Sequence, residues 1–574
     1  MNVQSRALKT YYKSYSYYIL ILKNILINTS INKKKLYLQI IYTFVYLYSF
    51  SIFTHIINLS YIKNYDDAFF ITHIIPAFCI ITSIAILSGS YKKYIYFIVY
   101  LICIFFGIIH TGHAILYGSE INAESAIAVI ATNNDESIEF IRSFSRYDLL
   151  IILSLYICIQ FYFTKKIIVK SNEYNMNCRE KFISLLIILS IYVPFSALRN
   201  FRTPFDPWFP TKVIKKFIVA NKEIRLASIL QSGYNHPAKS IYPNSQTIVL
   251  IIGESAGRKN MHLYGYPRQT TPDMEDIHDL HVFTDVISSA PTTHKSIGMM
   301  LTLADLNNAS YTTTMFDMFR AANFKTFWIS AQFSKQSPGS GIVPILAQRA
   351  DSLWSLKQNL SPDYHYDEYI MPQIYEFIDD PAPKKLIVIN LHGSHTSYKE
   401  RIPEHRNDFR FTDAPPSTAM FRNFLGQDNV AQIINDYDAS IRYADFVVSK
   451  IFESLEEQVR GAWAAIYLSD HGEEVFDTEN RFGHAGSSTS RNVYEIPFVL
   501  KVSNDYARWM HDAEIFALDT ARPYQTDNLI HTMLNLAAIE TSLYDPKKSI
   551  VNPDFQILPR WIKGSPYTSS DQTN

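Results

Sequence analysis

The sequence predicts an α/β protein in two parts: five transmembrane helices in residues 1–200, and a soluble, doubly wound domain in residues 246–562. Two observations predict this division. Up to about residue 198, the chain of 574 residues is dominated by Ile, Leu, Phe and Tyr. From residue 246 onward, apolar runs of strand length alternate with helical patterns. Such alternation is typical of a largely parallel sheet with helices on both faces.

Composition narrows the function classes further. The formal net charge is zero, so nothing in it indicates a nucleic-acid partner. The cysteines all lie in the apolar half, at Cys79, Cys103, Cys158 and Cys178. The soluble half therefore has neither a disulfide framework nor the thiolates of a structural zinc site.

Five apolar stretches in the first 200 residues are candidates for membrane spans. About 20 apolar residues cross the hydrocarbon core, so the last two stretches are short for a span. Buried helices of a soluble protein are the alternative, but five such runs exceed what a soluble core needs. The stretches are residues 37–57, 69–87, 94–116, 147–163 and 182–198.

Loop charges predict the orientation of these spans, because lysine and arginine concentrate on the cytoplasmic side. The basic segments are the N-terminal arm, the loop after the second span and the loop after the fourth span. The long loop at 117–146, on the other side, is acidic. Five spans that start inside place the C-terminal half outside, which in a bacterium is the periplasm.

Residues 201–245 connect the two halves. Pro204, Pro207 and Pro210 exclude a continuous helix at the start of this connector. The stretch 211–230 mixes apolar and basic residues, which fits an amphipathic helix on the bilayer surface, or else a surface helix of the soluble domain. At the other end of the chain, the polar residues 563–574 are expected to form a disordered tail.

Polar side chains follow the apolar strands of the soluble half at the points where the strands end. The clearest strands are 247–252, 325–329, 386–391 and 464–468, and clear helical patterns cover 433–455 and 526–536. In an open α/β sheet, ligands bind beyond the carboxyl ends of the strands. The polar residues there are Glu254, Ser255, His392, His395, Asp470 and His471, with His484 shortly beyond.

Carboxylates and imidazoles without thiolates suit a catalytic zinc ion, or manganese where oxygen ligands dominate. A serine hydroxyl such as that of Ser255 is a weak nucleophile at neutral pH, and metal coordination activates it. If Ser255 also begins a helix, the helix N-terminus favours a bound phosphate. The sequence therefore predicts a metal site with a built-in nucleophile.

The segment 253–272, which begins Gly-Glu-Ser-Ala-Gly-Arg, resembles the nucleophile region of the bacterial phosphoethanolamine transferases. These are membrane-anchored members of the alkaline phosphatase and sulfatase superfamily. Further matches are Tyr-Asp-Glu at 366–368, Gly-Ser-His at 393–395, 437–445, 468–474, 482–484 and 495–498. The likeness is close over about 245–500, and the five-span layout extends it to nearly the whole chain.

The resemblance implies a role for each residue of the metal site. Glu254, Asp470 and His471 are implied as zinc ligands, with Ser255 both at the metal and as the nucleophile. It implies a transfer in two steps: Ser255 takes phosphoethanolamine from phosphatidylethanolamine, and lipopolysaccharide then accepts the group on its core or its lipid A.

Three further residues are implied to meet the substrate. His395 and His484 would contact the phosphoryl group and move protons, and Glu136 in the outer loop would meet the ethanolamine ammonium. Two departures stand out. Asn390 replaces the first histidine of the family's His-x-x-Gly-Ser-His, which leaves the role of His392 open. The cysteine-free soluble half resembles the branch that modifies the lipopolysaccharide core.

Two other kinds of function stay open at this stage. The first is a phosphoglycerol transferase, or a membrane-bound phosphatase or sulfatase, on the same fold. Ala256, Gly257 and Arg258 after Ser255 lack the Cys/Ser-x-Pro-x-Arg sequence that a sulfatase needs. The second is a catalytically inert membrane sensor, although the proposed ligands are all present. The acceptor position, the number of metal ions and the oligomeric state are not fixed by the sequence.

Overall fold

The computed structural model describes most of the chain from residue 234 onward. The chain divides into two compact units, Met1–Ile121 with Ser145–Lys215, and Asn122–Phe144 with Lys216–Asn574. The fold below is that of the second unit. The described residues are 234–308, 311–332, 342–360, 365–413, 427–479, 482–484 and 488–568, together with 94, 97, 98, 101, 105, 108, 153–162, 165, 178 and 182.

Most of the predicted membrane half lies outside the described residues, as do the connector up to residue 233 and Glu136. Residues 153–162, within the fourth predicted span, are helical. Among the described positions, no helix combines the length and the apolar character needed to cross a membrane. The five-span layout and the boundary at 200 therefore stay predictions.

The elements of the second unit alternate between strands and helices. The strands are β1 (Ala238–Ser240), β2 (Gln246–Gly253), β3 (His281–Val282), β4 (Val286–Ile287), β5 (Lys325–Ser330), β6 (Ser352–Ser355), β7 (Lys384–Asn390), β8 (Ala462–Ser469), β9 (Glu474–Val475), β10 (Phe482–Gly483), β11 (Phe498–Val502), β12 (Tyr524–Gln525), β13 (Ile539–Thr541), β14 (Arg560–Ile562) and β15 (Ser565–Tyr567). The helices are α1 (Pro272–Glu275), α2 (Thr293–Met300), α3 (Met315–Ala321), α4 (Val343–Ala347), α5 (Leu356–Asn359), α6 (Met371–Ile378), α7 (Gln427–Gln458), α8 (Asn504–Asp512) and α9 (Leu529–Leu536).

A seven-stranded sheet with the order β3-β11-β8-β2-β7-β5-β6 forms the centre of the unit. The five strands from β8 to β6 pair in parallel, and β11 and β3 continue the sheet in antiparallel pairing. The prediction of a largely parallel sheet is confirmed. Each of the four predicted strands is present, with ends that differ by at most two residues.

Strand β2 is central, and all eight of its residues are buried. Its side chains divide between two cores. Ile248, Leu250 and Ile252 belong to one, whereas Val249 and Ile251 belong to the other. Because neighbouring side chains of a strand point to opposite faces, both faces of the sheet are covered. The continuous apolar run of β2 is the sequence signature of that double burial.

Helix α7, with 32 residues, covers the second of these two cores. It contains the predicted helix 433–455 and extends it at both ends. Apolar residues recur along it three or four positions apart, which gives one continuous buried stripe. Members of that stripe are Val430, Ile434, Tyr437, Ile441, Val448, Ile451 and Leu455.

The domain begins earlier than the predicted boundary at 246, which is a correction. Strand β1 pairs antiparallel with β13, with Ala238 opposite Thr541 and Ser240 opposite Ile539. The Gln246 side chain donates to Ser240 Oγ and to the Ala537 carbonyl, at 3.1 and 2.9 Å, and fastens this edge. A three-residue strand is too short for its alternation to be recognised in sequence.

The prediction of a disordered tail from residue 563 is wrong for residues 563–568. Strands β14 and β15 form a hairpin in which Gly564 takes a φ of +77° at the turn. Tyr567 is buried against a small apolar cluster that includes Ile287 and Tyr494, and its hydroxyl donates to Glu495 at 2.7 Å. The contacts of this one aromatic side chain order a segment whose composition is otherwise polar. Residues 569–574 lie outside the described residues.

This hairpin generates a stability prediction. A chain that ends at Ile562 loses the buried Tyr567 ring, so we expect its free energy of unfolding to fall by about 2–4 kcal/mol. A chain that ends at Thr568 keeps the hairpin and should unfold at the wild-type temperature. Thermal unfolding of both truncated proteins checks this. Equal melting temperatures for the two would contradict the structural role of the hairpin.

Candidate metal centre and active site

The pairing of β2 with β8 places two carboxylates side by side. Gly253 lies opposite Ser469 in the parallel register. Glu254 follows the first strand and Asp470 follows the second, so the two residues are neighbours. The Asp470 amide donates to the Gly253 carbonyl at 3.0 Å and continues the ladder beyond the strand end. Both carboxylates are buried, with 1% and 0% exposure. The strand ends thus deliver them to one point.

His471 completes a group of three possible metal ligands with these carboxylates. One ligand atom from each of the three residues lies within 4.8 Å of the others. Nε2 of His471 is 3.2 Å from Glu254 Oε1 and 3.4 Å from Asp470 Oδ2. Its Nδ1 lies 2.9 Å from the Gly472 carbonyl, which can only accept, so Nδ1 carries the hydrogen. Nε2 is therefore the nitrogen that faces the carboxylates.

The electrostatics of this group indicate an excess of negative charge. Burial, together with the neighbouring Glu254, raises the pKa of Asp470 well above its usual range. Burial also opposes ionisation of Glu254, but hydrogen bonding and the charge of His471 outweigh it and lower the pKa of Glu254. Burial disfavours the imidazolium, yet the two carboxylates raise the pKa of His471 to about 10. A divalent cation would relieve this repulsion.

The donor set fits a divalent metal ion. Oδ1 of Asp470 accepts from the amides of Ser255 and His471, at 3.2 and 2.7 Å. Oδ2 of Asp470 is buried and accepts no hydrogen bond. A buried carboxylate oxygen without a donor is costly unless a cation binds it. Glu254, Asp470 and His471 would hold such an ion, and two carboxylates with one imidazole suit catalytic zinc.

Ser255 contacts both carboxylates of the group but is completely enclosed. Its φ of +56° is in the left-handed region that non-glycine residues rarely adopt, and its exposure is 0%. Its Oγ donates to Glu254 Oε1 at 2.9 Å. The Tyr437 hydroxyl donates to the Ser255 carbonyl at 2.8 Å and accepts from the Gly257 amide at 2.9 Å. The turn after β2 is therefore held from several sides.

Thr293 brings a second hydroxyl to the same carboxylate. Its Oγ1 lies 3.2 and 3.0 Å from the two carboxylate oxygens of Glu254 and 3.3 Å from His471 Nε2. Thr293 is the first residue of α2 and is only partly buried. A partly exposed hydroxyl at a helix N-terminus lies in a positive field. Sequence reasoning missed Thr293, because it follows no long apolar strand.

Gln332 is another residue that sequence reasoning missed. Its side-chain amide donates to Glu254 Oε2 at 3.0 Å and to the Leu391 carbonyl at 2.7 Å. It follows β5, so the rule that polar residues gather at strand ends could have found it. Together with Thr293, it fixes the orientation of the Glu254 carboxylate.

His484 belongs to a second group of possible ligands, with His471 and Glu473. Its Nδ1 lies 2.7 Å from Glu473 Oε2, and the Tyr398 hydroxyl donates to Glu473 Oε1 at 2.6 Å. The rings of His484 and His471 have centroids 4.0 Å apart. Burial, followed by the nearby His471, lowers the pKa of His484. The structure thus brings His484 next to the carboxylate group.

The two histidines after β7 differ in their contacts. Asp367 accepts from the amides of His392 and Gly393, at 2.7 and 2.8 Å, and the His392 ring lies against Arg401. His392 is therefore used in holding its own loop. Nδ1 of His395 is 2.6 Å from the Thr396 carbonyl, which leaves its Nε2 available. His395 lies near enough to Glu254 for its charge to lower that pKa.

Gly393 lets this loop pack directly on the turn after β2. A Cβ at Gly393 would lie 2.8 Å from the Glu254 amide nitrogen and 2.9 Å from the Glu254 carbonyl oxygen. Its φ of +51° is also one that glycine adopts most easily. The Ser394 amide donates to the Glu254 carbonyl at 2.9 Å. The sequence predicted that His395 lies near the site. The packing of its loop on Glu254 is the structural reason for that position.

Comparison with known proteins connects this geometry to a family. Residues 246–539 match the model of the sulfatase family. Phosphoethanolamine transferase EptC of Escherichia coli strain K12 is 29% identical over 482 residues, which are 79% of this chain and 81% of the relative. Phosphoethanolamine transferase CptA of Salmonella typhimurium strain LT2 is 34% identical over 336 residues, 56% of each protein.

Two solved structures have the same fold. The C-terminal periplasmic domain of EptC from Escherichia coli, in complex with zinc, is 33% identical, with a TM-score of 0.52 over 59% of this chain and 95% of that one. Integral membrane lipooligosaccharide phosphoethanolamine transferase A from Neisseria meningitidis is 18% identical, with a TM-score of 0.64 over 91% and 98%. The chain belongs to the sulfatase family and, within it, to the phosphoethanolamine transferases.

Proposed function

We propose that this enzyme transfers phosphoethanolamine from phosphatidylethanolamine to lipopolysaccharide through a covalent intermediate beside a bound zinc ion. The observation that carries the proposal is a partly exposed hydroxyl, that of Thr293, in contact with the buried Glu254 carboxylate and the His471 imidazole. The buried Asp470 carboxylate lies beside both. Relatives named phosphoethanolamine transferases, and a zinc complex of one related domain, support it.

The geometry favours Thr293 over Ser255 as the nucleophile. A nucleophile must reach a phosphorus atom that arrives from outside, and Ser255 is fully buried with its hydroxyl already donated to Glu254. Thr293 contacts the same carboxylate, lies within 3.3 Å of His471 Nε2 and is partly exposed. Ser255 then has a positioning role: its amide and hydroxyl hold Asp470 and Glu254 in place.

In the first half-reaction, Thr293 Oγ1 attacks the phosphorus atom of phosphatidylethanolamine. A bond forms between Oγ1 and phosphorus, and the bond between phosphorus and the diacylglycerol oxygen breaks. The proton of Thr293 leaves through a neighbouring base and reaches the departing diacylglycerol oxygen. In the second half-reaction, an acceptor hydroxyl of lipopolysaccharide, on a sugar or on a phosphate, attacks the phosphorus. A bond forms between the acceptor oxygen and phosphorus, and the bond between Thr293 Oγ1 and phosphorus breaks. The acceptor's proton passes through the same base to Oγ1, which restores the hydroxyl of Thr293.

His484 is the base that fits this proton path. The lowered pKa keeps its imidazole neutral, with hydrogen on the Nδ1 that Glu473 holds and a lone pair on Nε2. A neutral, oriented imidazole is the state that a general base requires. We assign His395 to the phosphoryl oxygens, because Thr396 fixes its Nδ1 and leaves Nε2 for a ligand.

Zinc, when bound, lowers the pKa of the attacking hydroxyl and offsets the charge of the phosphoryl group. Glu254, Asp470 and His471 would hold it. Ser255, which the sequence also assigned to the metal, donates its hydroxyl to Glu254 instead. Manganese is the alternative, because two of the three ligands are carboxylates. His392 has no place in this set, since Asp367 and Arg401 engage it.

Both proposed substrates are lipids, so a membrane anchor would hold the enzyme at the surface where they occur. In this proposal five spans within residues 1–200 anchor the enzyme in the bacterial inner membrane. The connector from residue 201 up to β1 follows the membrane surface, and the catalytic domain faces the periplasm. Glu136 in the outer loop would meet the ethanolamine ammonium. The cysteine-free catalytic half favours the lipopolysaccharide core over lipid A as the acceptor.

The nucleophile assignment is tested by comparing Thr293→Ala with Ser255→Ala. We expect Thr293→Ala to lower turnover by about 1,000-fold or more and to form no phosphoethanolamine adduct, because it lacks the attacking oxygen. Ser255→Ala should still form the adduct, at a reduced rate. Intact-protein mass spectrometry after mixing with phosphatidylethanolamine detects the added group. An adduct on Thr293→Ala and none on Ser255→Ala would return the nucleophile to Ser255.

The metal assignment is tested by elemental analysis of purified variants. A chelator should abolish activity and zinc should restore it, since the ligands are carboxylates and imidazole without thiolates. Asp470→Asn and His471→Ala should each lose the bound metal and nearly all turnover. His395→Ala, the matched control, should keep the metal and react more slowly. Zinc retained in His471→Ala but lost in His395→Ala would reverse the two assignments.

The topology is tested with reporter fusions. An alkaline phosphatase fused after Arg202 should be active, because five spans from a cytoplasmic start place that point in the periplasm. A fusion near Lys170 should be inactive, since the basic loop there is assigned to the cytoplasm. The reverse pattern of activity would contradict the five-span arrangement.

A further inference from the structure

A cavity of about 290 Å³ lies in the catalytic domain, away from the proposed metal ligands. It is formed where the segment after α2, the end of β12 and the chain before β14 meet, and none of the residues of the metal centre lines it. Its volume is near the lower end of small-molecule sites, which are roughly 300–1,000 Å³. Nothing in the reaction described above uses it.

Aromatic rings form part of the wall. Trp561 lines the cavity and is 40% exposed, whereas Trp328 and Trp463 of the same domain are fully buried. Tyr524 and Phe555 line it as well. A tryptophan left partly open to water beside a cavity gives a flat apolar surface at a wet site, the combination found at recognition surfaces. The apolar face of a sugar ring fits such a surface.

Carboxylates supply the polar part. Asp305 and Asp527 both line the cavity, and burial together with Asp305 raises the pKa of Asp527 to about 6. Carboxylate oxygens accept hydrogen bonds from hydroxyl groups. Arg560 also reaches the cavity, but both of its terminal nitrogens are engaged by Asp285, at 2.7 and 2.8 Å.

The charged and aromatic residues of the lining favour a neutral sugar over an anion or a small ammonium group. An anion would meet two carboxylates, with Lys548 as the remaining cation at the wall. A small ammonium group would leave most of the volume unfilled and would face Lys548 as well. A neutral polyhydroxyl ring can donate to both carboxylates and cover the indole. The lining therefore matches a sugar.

The cavity is linked to the metal centre by short connections. The Asp527 amide donates to Ser289 Oγ at 2.7 Å, and the hydroxyl of the adjacent Ser288 lies 2.6 Å from the Asp470 carbonyl. Helix α2 begins at Thr293 and leads to the segment that carries Asp305. The helix ends at Met300, five residues before Asp305, so one short segment joins Thr293 to the cavity wall.

We propose that this cavity is the subsite for a sugar of the acceptor glycolipid, separate from the hydroxyl or phosphate that receives the phosphoethanolamine. The inference rests on the proposed transferase function. The sugar seats on Trp561 and donates hydroxyl groups to Asp305 and Asp527, and this places the acceptor oxygen at the Thr293 adduct.

The two half-reactions of the full-length enzyme test this separately. Trp561→Ala should form the covalent adduct with phosphatidylethanolamine at the wild-type rate, because the donor does not use the cavity. Its KM for purified lipopolysaccharide should rise about tenfold, the effect of one lost stacking contact. Trp561→Phe should recover part of that loss. Ile557→Ala is the matched control, since Ile557 is 69% exposed beside the cavity and does not line it.

A binding measurement adds a second criterion. Core oligosaccharide released from lipopolysaccharide should change the tryptophan fluorescence of the wild type and not that of Trp561→Phe, whereas free ethanolamine should change neither. An unchanged KM for lipopolysaccharide in Trp561→Ala would contradict the proposed subsite. So would a loss of adduct formation in this variant as large as its loss of transfer to lipopolysaccharide. Failure of the transferase function is distinct from both, because then the wild type itself forms no adduct.

Discussion

The repulsion between two buried carboxylates is the constraint on which the rest of the site depends. Glu254 and Asp470 meet because β2 and β8 pair in parallel and end at the same level. Two like charges in a low-dielectric interior cost several kcal/mol unless a positive partner lies between them. His471 supplies part of that charge from the residue after Asp470. The unsatisfied Asp470 Oδ2 is the atom that a bound cation would satisfy.

The surrounding elements hold these carboxylates at fixed positions. Thr293 at the start of α2 and Gln332 after β5 donate to Glu254, while the amides of Ser255 and His471 donate to Asp470. A carboxylate that receives several donors has one preferred orientation, and such oriented ligands bind a metal more tightly and selectively. Four separate parts of the chain therefore orient the two carboxylates.

Much of this could be predicted from the sequence, because burial on both faces leaves a simple signature. The apolar run of β2 predicted a central strand, and Glu254 directly after it predicted a site at the end of that strand. Thr293 could not be found this way, since it begins a short helix after a two-residue strand. The burial of Ser255 was equally invisible, because a turn residue next to a strand is usually exposed. The hairpin with Tyr567 was missed because the tail was judged by its average composition, which is polar. A single aromatic side chain packed in a buried cluster does not change that average.

The hydroxyl of Tyr437 has a consequence for how the domain loses its activity. It bridges the Ser255 carbonyl and the Gly257 amide from α7, a 32-residue helix that packs in one of the two cores flanking the sheet. The turn cannot open without breaking the two hydrogen bonds that connect it to this long helix. Its amides therefore belong with the core in hydrogen exchange, and not with the loops that open locally. On heating, this part of the catalytic centre would not melt ahead of the domain: it would persist until the domain unfolds as a whole.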